Sequence, residues 1–191
     1  REIPKEKHYL FWTSYLLCVA GLLGVTITGD AFNTFVFLEI SSLSTYILIA
    51  MGSDKRALLA SYRYLIMGTI GATFIVLGVG LLYALTGTLN LLDIAERIGD
   101  VTDSRTKLAA LAFLLVGISL KLALFPLHAW LPNAYTYSPS VASTFLAATS
   151  TKVGIYLLIR FSFDIFGATK SFENLGISQL LMFLSIIAII Y

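Results

Sequence analysis

The chain is dominated by apolar runs of about 20 residues, the length a helix needs to cross the roughly 30 Å hydrocarbon core of a bilayer. They fall at about 9–28, 31–51, 58–86, 108–131, 141–163 and 175–191. In hydrocarbon every backbone N–H and C=O must be satisfied inside the protein, and continuous runs of this length satisfy them only as helices. The sequence therefore predicts an all-α, polytopic transmembrane bundle forming a single membrane domain over 1–191. Composition agrees, with 58% hydrophobic and 13% charged residues, against roughly 45–50% and 25% in soluble domains.

Two stretches depart from plain spans. In the fourth, Pro126 removes the donor that a continuous helix would supply to the carbonyl of Leu122, and Pro132 does the same to His128. A freed carbonyl at membrane depth must find a side chain, a neighbouring helix or water, so this span is expected to be broken near 126. The connector 88–106 pairs Leu89, Leu92, Ile94 and Ile98 with Asp93, Glu96 and Arg97, which predicts a short amphipathic helix at the surface. The loop GSDKR is too short to cross the membrane, so the spans on either side are antiparallel neighbours. The chain lacks an initiator Met and its last run, QLLMFLSIIAIIY, stops short of a full span. It reads as a piece of a longer protein.

Several classes of chemistry find no support. The single cysteine, Cys18, lies inside an apolar run, and there is no CxxC pair or His/Cys cluster for zinc, haem or an iron–sulfur centre. Neither a Walker loop nor a GxGxxG fingerprint is present, and no basic run points to nucleic acid. The expectation is no metal and no cofactor on this chain, with any redox centre carried by another subunit.

What remains is a set of titratable groups at mid-span: Glu39, Lys121 and Lys152. A lysine at that depth costs at least about 2.5–3.5 kcal/mol, so it needs a partner or a function. Ser42 and Tyr46 follow Glu39 at i+3 and i+7 and share its helical face. Buried together, a carboxylate and an amine can both stay charged and titrate as one coupled set. His128, beside the break, is the side chain here whose ordinary titration lies nearest neutrality. Thr149 and Tyr156 sit at i−3 and i+4 from Lys152, where their hydroxyls could hold water on one face. A plainer reading stands beside this one: Glu39, Lys121 and Lys152 form static ion pairs that fix helix packing, and His128 only caps a freed carbonyl.

The run GISLKLALFPLHAWLPNAYTYSPSVASTFLAATSTKVGIYLLIR resembles the core signature of the antiporter-like proton-translocating membrane subunits. These are the large subunits of Mrp-type cation/proton antiporters, of membrane-bound hydrogenases and of respiratory complex I. FNTFVFLEISSLSTYILI resembles the glutamate helix of that family, and YALTGTLNLLDIA its connector. The loop reads YSPS where the family often places an alanine before the proline. AYTYSPS and STKVGIY resemble the branch of the D-type Mrp antiporter subunits and the hydrogenases more than mitochondrial-type complex I.

The resemblance implies one five-helix repeat of an inverted-repeat fold, with a broken helix, plus part of a sixth span. It makes Glu39 the fifth-helix glutamate, Lys121 the lysine of the broken seventh helix and Lys152 the eighth-helix lysine, with His128 near the break. It implies that the glutamate–lysine pair modulates proton transfer and the next lysine passes the proton onward. The expected partners are other membrane subunits of a multisubunit complex in a prokaryotic cell membrane, the lipid bilayer, and protons, with sodium in the antiporter branch. Whether the complex is a redox-driven translocase or a gradient-driven antiporter stays open. Two competing functions are a structural membrane subunit and a quinone-binding membrane subunit.

Overall fold

The computed structural model describes residues 3–101, 104–167 and 177–190. The ends of the expected sixth run, 175–176 and 191, lie outside the described residues, as do 102–103 of the connector. The long helices are α1 (His8–Ile27), α2 (Ala31–Ala50), α3 (Arg56–Thr86), α5 (Ser104–Leu122) and α7 (Ser140–Ile159). Two short ones, α4 (Leu91–Arg97) and α6 (Leu131–Tyr137), lie between them, and α8 (Ile177–Ile190) closes the described residues. A π-helical turn, Arg160–Ile165, continues α7. Among the described residues, four segments are long and apolar enough to cross a membrane: Lys5–Ile27, Ala31–Ala50, Arg56–Thr86 and Ser140–Ile165. The chain is an integral membrane protein of all-helical fold.

Helix α2 packs between α1 and α3, α3 lies along α5, and α7 closes against α5 and α1. The approach of α3 to α5 is set by small residues. A Cβ on Gly117 would lie 2.7 Å from the Gly71 carbonyl oxygen, so α5 has no room for a side chain there, and one on Gly71 would lie 3.2 Å from the Gly117 carbonyl oxygen. Two apolar clusters result. One gathers Leu38, Ile75, Leu114, Ile118 and Leu157, and the other Cys18, Leu22, Tyr64, Trp130 and Leu146.

The connector is tied back onto the bundle. Asp30 and Asn90 form an antiparallel bridge, with Ala31 N donating to Leu89 O and Leu91 N to Gly29 O, both at 2.8 Å. Each bridging residue also caps a helix: Asp30 accepts from Asn33 N at the start of α2, and Asn90 from Leu92 N and Asp93 N at the start of α4. Leu91, Ile94 and Ile98 face the bundle, whereas Leu92, expected on the apolar side, is 77% exposed. The seven-residue helix begins at Leu91, and its phase turns Leu92 outward.

The fourth span is interrupted between Leu122 and Leu131, around Pro126. Helix α5 ends at Leu122, because Pro126 cannot donate to that carbonyl and its ring excludes a helical turn there. Ala123 takes a left-handed conformation with φ 57°, and Leu124 N donates to Ser119 O at 2.9 Å while Ala123 N donates to Leu120 O at 3.3 Å. This is a Schellman closure with alanine where glycine is usual. The Phe125–Pro126 peptide is cis. Leu131 N bonds His128 O at 2.9 Å, and Pro132 falls in the first turn of α6, where its missing N–H costs nothing.

Candidate functional site

The broken helix positions one lysine. Lys121 is the penultimate residue of α5, one position before the helix ends at the break. Its Nζ lies 3.0 Å from Glu39 Oε1 and donates to Ser42 Oγ at 2.6 Å. Glu39 stands near the middle of α2, so the contact sets Lys121 at mid-depth. The lysine is buried, while Glu39 keeps 22% of its side chain exposed. Ser42 spends its own proton on Leu38 O at 2.8 Å, which leaves its lone pairs for the lysine.

Aromatic packing supports the site from behind. Tyr46, one turn beyond Ser42, meets Tyr64 edge-on with ring centroids 4.8 Å apart, and Tyr64 stacks on Trp130 at 4.0 Å. Trp130 Nε1 donates to Leu120 O at 3.0 Å, so the residue opening α6 satisfies a carbonyl at the end of α5. The segment that the prolines free thus folds back onto the helix it left.

Beside Lys121 lies a cavity of about 20 Å³, lined among others by Ser42, Thr45, Tyr64, Ser150 and Val153. It lies where the two apolar clusters meet, with Leu38 from one and Leu22 from the other in its wall.

The other candidates lie apart from this pair. Lys152 is exposed on α7, and its Nζ donates to Ala147 O at 2.5 Å and to Thr151 Oγ1 at 3.3 Å. It lines an open groove of about 360 Å³ between α1 and α7, with Thr149, Tyr156 and Thr26 among the walls. Among the described residues no carboxylate reaches it. His128 sits in the turn between α5 and α6 with its ring 5.4 Å from that of Phe125, outside the lining of the Lys121 cavity. Cys18 is buried and contacts Thr45 Oγ1 at 3.4 Å. No group of His, Cys, Asp and Glu suited to a metal occurs among the described residues.

Ser150 and Trp130 are contributors that the titratable residues did not announce. In the structure Ala142, Leu146, Ser150, Gly154 and Leu157 form the inward stripe of α7 at helical spacing, but its lipid side is equally apolar, so the spacing alone does not single out Ser150.

Membrane-length helices around a glutamate–lysine ion pair at a broken helix define a polytopic integral membrane segment with an internal charge pair. The chain belongs to the NADH:quinone oxidoreductase/Mrp antiporter transmembrane family, whose pattern it matches over residues 28–191. It is 51% identical over 157 residues to an NADH-quinone oxidoreductase subunit of Desulforudis audaxviator, covering 82% of this chain and 31% of that one. It is 35% identical over 170 residues to a Na(+)/H(+) antiporter subunit of Alkalihalophilus pseudofirmus, covering 89% and 34%. Its fold superposes with TM-score 0.75 and 36% identity on a chain of the membrane-bound sulfane sulfur reductase, an archaeal respiratory membrane complex, covering 81% of this chain and 32% of that one. The chain spans about a third of the length of these relatives.

Proposed function

We propose that this chain forms one proton-conducting half of an antiporter-like subunit in a multisubunit membrane complex, in a prokaryotic cell membrane. The observation that carries the reading is the Glu39–Lys121 pair at mid-span, with Lys121 buried, Glu39 partly exposed and Ser42 as a second acceptor. An ion pair held at that depth by one carboxylate and one hydroxyl is easily rebalanced. A proton or cation arriving at the partly exposed face of Glu39 weakens its hold on the ammonium, which then releases its own proton into the adjoining cavity. Lys152, exposed on α7, is the next residue in this scheme, and His128, in the turn between α5 and α6, belongs to the same path.

Relatives of this chain are named as subunits of both antiporter and quinone-reductase complexes. Either a sodium gradient or a redox partner would supply the driving force, and the pair's chemistry is the same in both.

The test uses the complete subunit in its complex, reconstituted in vesicles. Lys121→Ala and Glu39→Ala should each abolish coupled proton transport while the complex still assembles. Full transport by both variants would defeat the proposal. The contact between Glu39 and Lys121 also favours a second reading, in which the pair only locks α2 to α5. On that reading the same substitutions would break assembly, because removing one partner strands a buried charge.

A further inference from the structure

The hydroxyl of Ser150 is buried and makes no hydrogen bond among the described residues. This sets it apart from its neighbours. Thr149 bonds back to Phe145 O at 2.8 Å, Thr144 to Ser140 O at 2.9 Å, and Thr45 to Ser41 O at 2.8 Å, as helical Ser and Thr commonly do. Ser150 instead lines the cavity that holds Lys121. Lys121 has three N–H donors, of which Glu39 and Ser42 take two. A donor and an unpartnered hydroxyl thus border one small space, with Thr45 on its wall.

The size of that space decides its occupant. A cavity needs about 10–15 Å³ of this kind of volume to hold a water, and two to four polar partners to keep it. The cavity measures about 20 Å³, room for one. Leu22 and Val153 line both this cavity and the Lys152 groove, so a single layer of apolar side chains separates the two spaces.

We propose that one buried water bridges Lys121 to Ser150, and that Ser150 is the positioning residue carrying the hydrogen-bonded path from α5 to α7. The inference deepens the proton-transfer reading and rests on it. The water accepts from the Lys121 ammonium and donates to the Ser150 oxygen, and a proton leaving Lys121 enters through it. The Ser150 hydroxyl fixes that water on the α7 side of Lys121, so the water takes up the proton that Lys121 releases and the amine is left neutral, while the Leu22–Val153 layer separates the water from the groove that bears Lys152. Without the hydroxyl, the water loses the partner that orients it away from Lys121.

The experiment combines a map of the intact complex, at a resolution that shows ordered water, with transport by variants of the full-length subunit. A water within hydrogen-bond distance of both Ser150 Oγ and Lys121 Nζ is expected in the unaltered complex. Ser150→Ala should slow coupled transport about tenfold, the equivalent of one hydrogen bond, with assembly unchanged. Ser150→Thr, which keeps the hydroxyl, should restore it. Lys121→Ala in the same series separates the two claims. If Lys121→Ala is inactive while Ser150→Ala transports normally, the role of Ser150 is overturned and the wider reading stands. If Lys121→Ala transports normally, the wider reading falls. A map with no water at Ser150 overturns the bridge whatever the variants do, including a Ser150→Ala that fails to assemble.

Discussion

Trp130 closes the helix that carries Lys121: its indole N–H donates to the carbonyl of Leu120 at 3.0 Å while its ring stacks on Tyr64 at 4.0 Å. Trp130→Phe keeps the stack and removes the donor. Because Leu120 O retains the Ala123 N–H, the expected cost is that of one hydrogen bond, about 1 kcal/mol. Trp130→Ala also empties the stack, and large-to-small changes of this kind cost about 3–5 kcal/mol. Thermal unfolding of the purified subunit in detergent should rank the two variants in that order.

The turn after α5 places Ala123 at φ 57°, a conformation that costs an L-residue about 1–2 kcal/mol and glycine almost nothing. After glycine's greater chain entropy is deducted, Ala123→Gly should raise stability by about 0.5–1 kcal/mol. A rise in unfolding temperature with unchanged assembly would show it, and a fall would mean that the turn is closed differently.

Glycines on α3 and α5 should respond to alanine with opposite signs. A Cβ on Gly117 meets the Gly71 carbonyl oxygen at 2.7 Å and Ile75 N at 2.9 Å, both backbone atoms. Gly117→Ala must push α5 away from α3 and should cost about 1–3 kcal/mol. A Cβ on Gly80 meets nothing within 4 Å, and Gly80→Ala should stabilise by up to about 1 kcal/mol through helix propensity alone. The comparison of their unfolding midpoints checks the registry of the two helices that set the depth of Lys121.

Ser42 offers a graded test of the ion pair. Ser42→Ala removes one of the two side-chain acceptors of Lys121 and keeps Glu39, and a hydrogen bond to a charged group is worth about 1.5–3 kcal/mol. The variant should assemble with lowered stability and transport more slowly without losing transport. Transport rates and unfolding midpoints of Ser42→Ala and Ser42→Thr, measured together, would reveal whether the hydroxyl matters.

Length and apolarity made the helical membrane fold legible, since a bilayer admits few other structures for such runs. The prolines pointed to a broken fourth span, but the helix end at Leu122 follows from a closure by Ala123 that composition does not foretell. The phase of α7 was harder to read. In a soluble protein the apolar stripe marks the inward face, whereas here both the lipid face and the core face of a helix are apolar. Lys152 and Ser150 lie two residues apart, so one faces the open groove and the other the buried cavity. Charge drew attention to the lysine, and only packing singles out the serine. The connector shows the same limit: Leu92 and Ile94 look alike in sequence, and where α4 begins decides that Leu92 is exposed and Ile94 buried.

On the proposed function, Glu39 and Lys121 work by exchanging charge rather than by holding α2 to α5. The double variant Glu39→Gln, Lys121→Met tests it most directly. It removes both charges at once, nearly preserves volume and leaves no unpaired charge behind, which is what makes loss of one partner alone costly. Coupled proton transport by vesicles containing the complete complex should then be lost although the complex assembles in normal amounts. Transport at the unaltered rate by that assembled double variant would contradict the account.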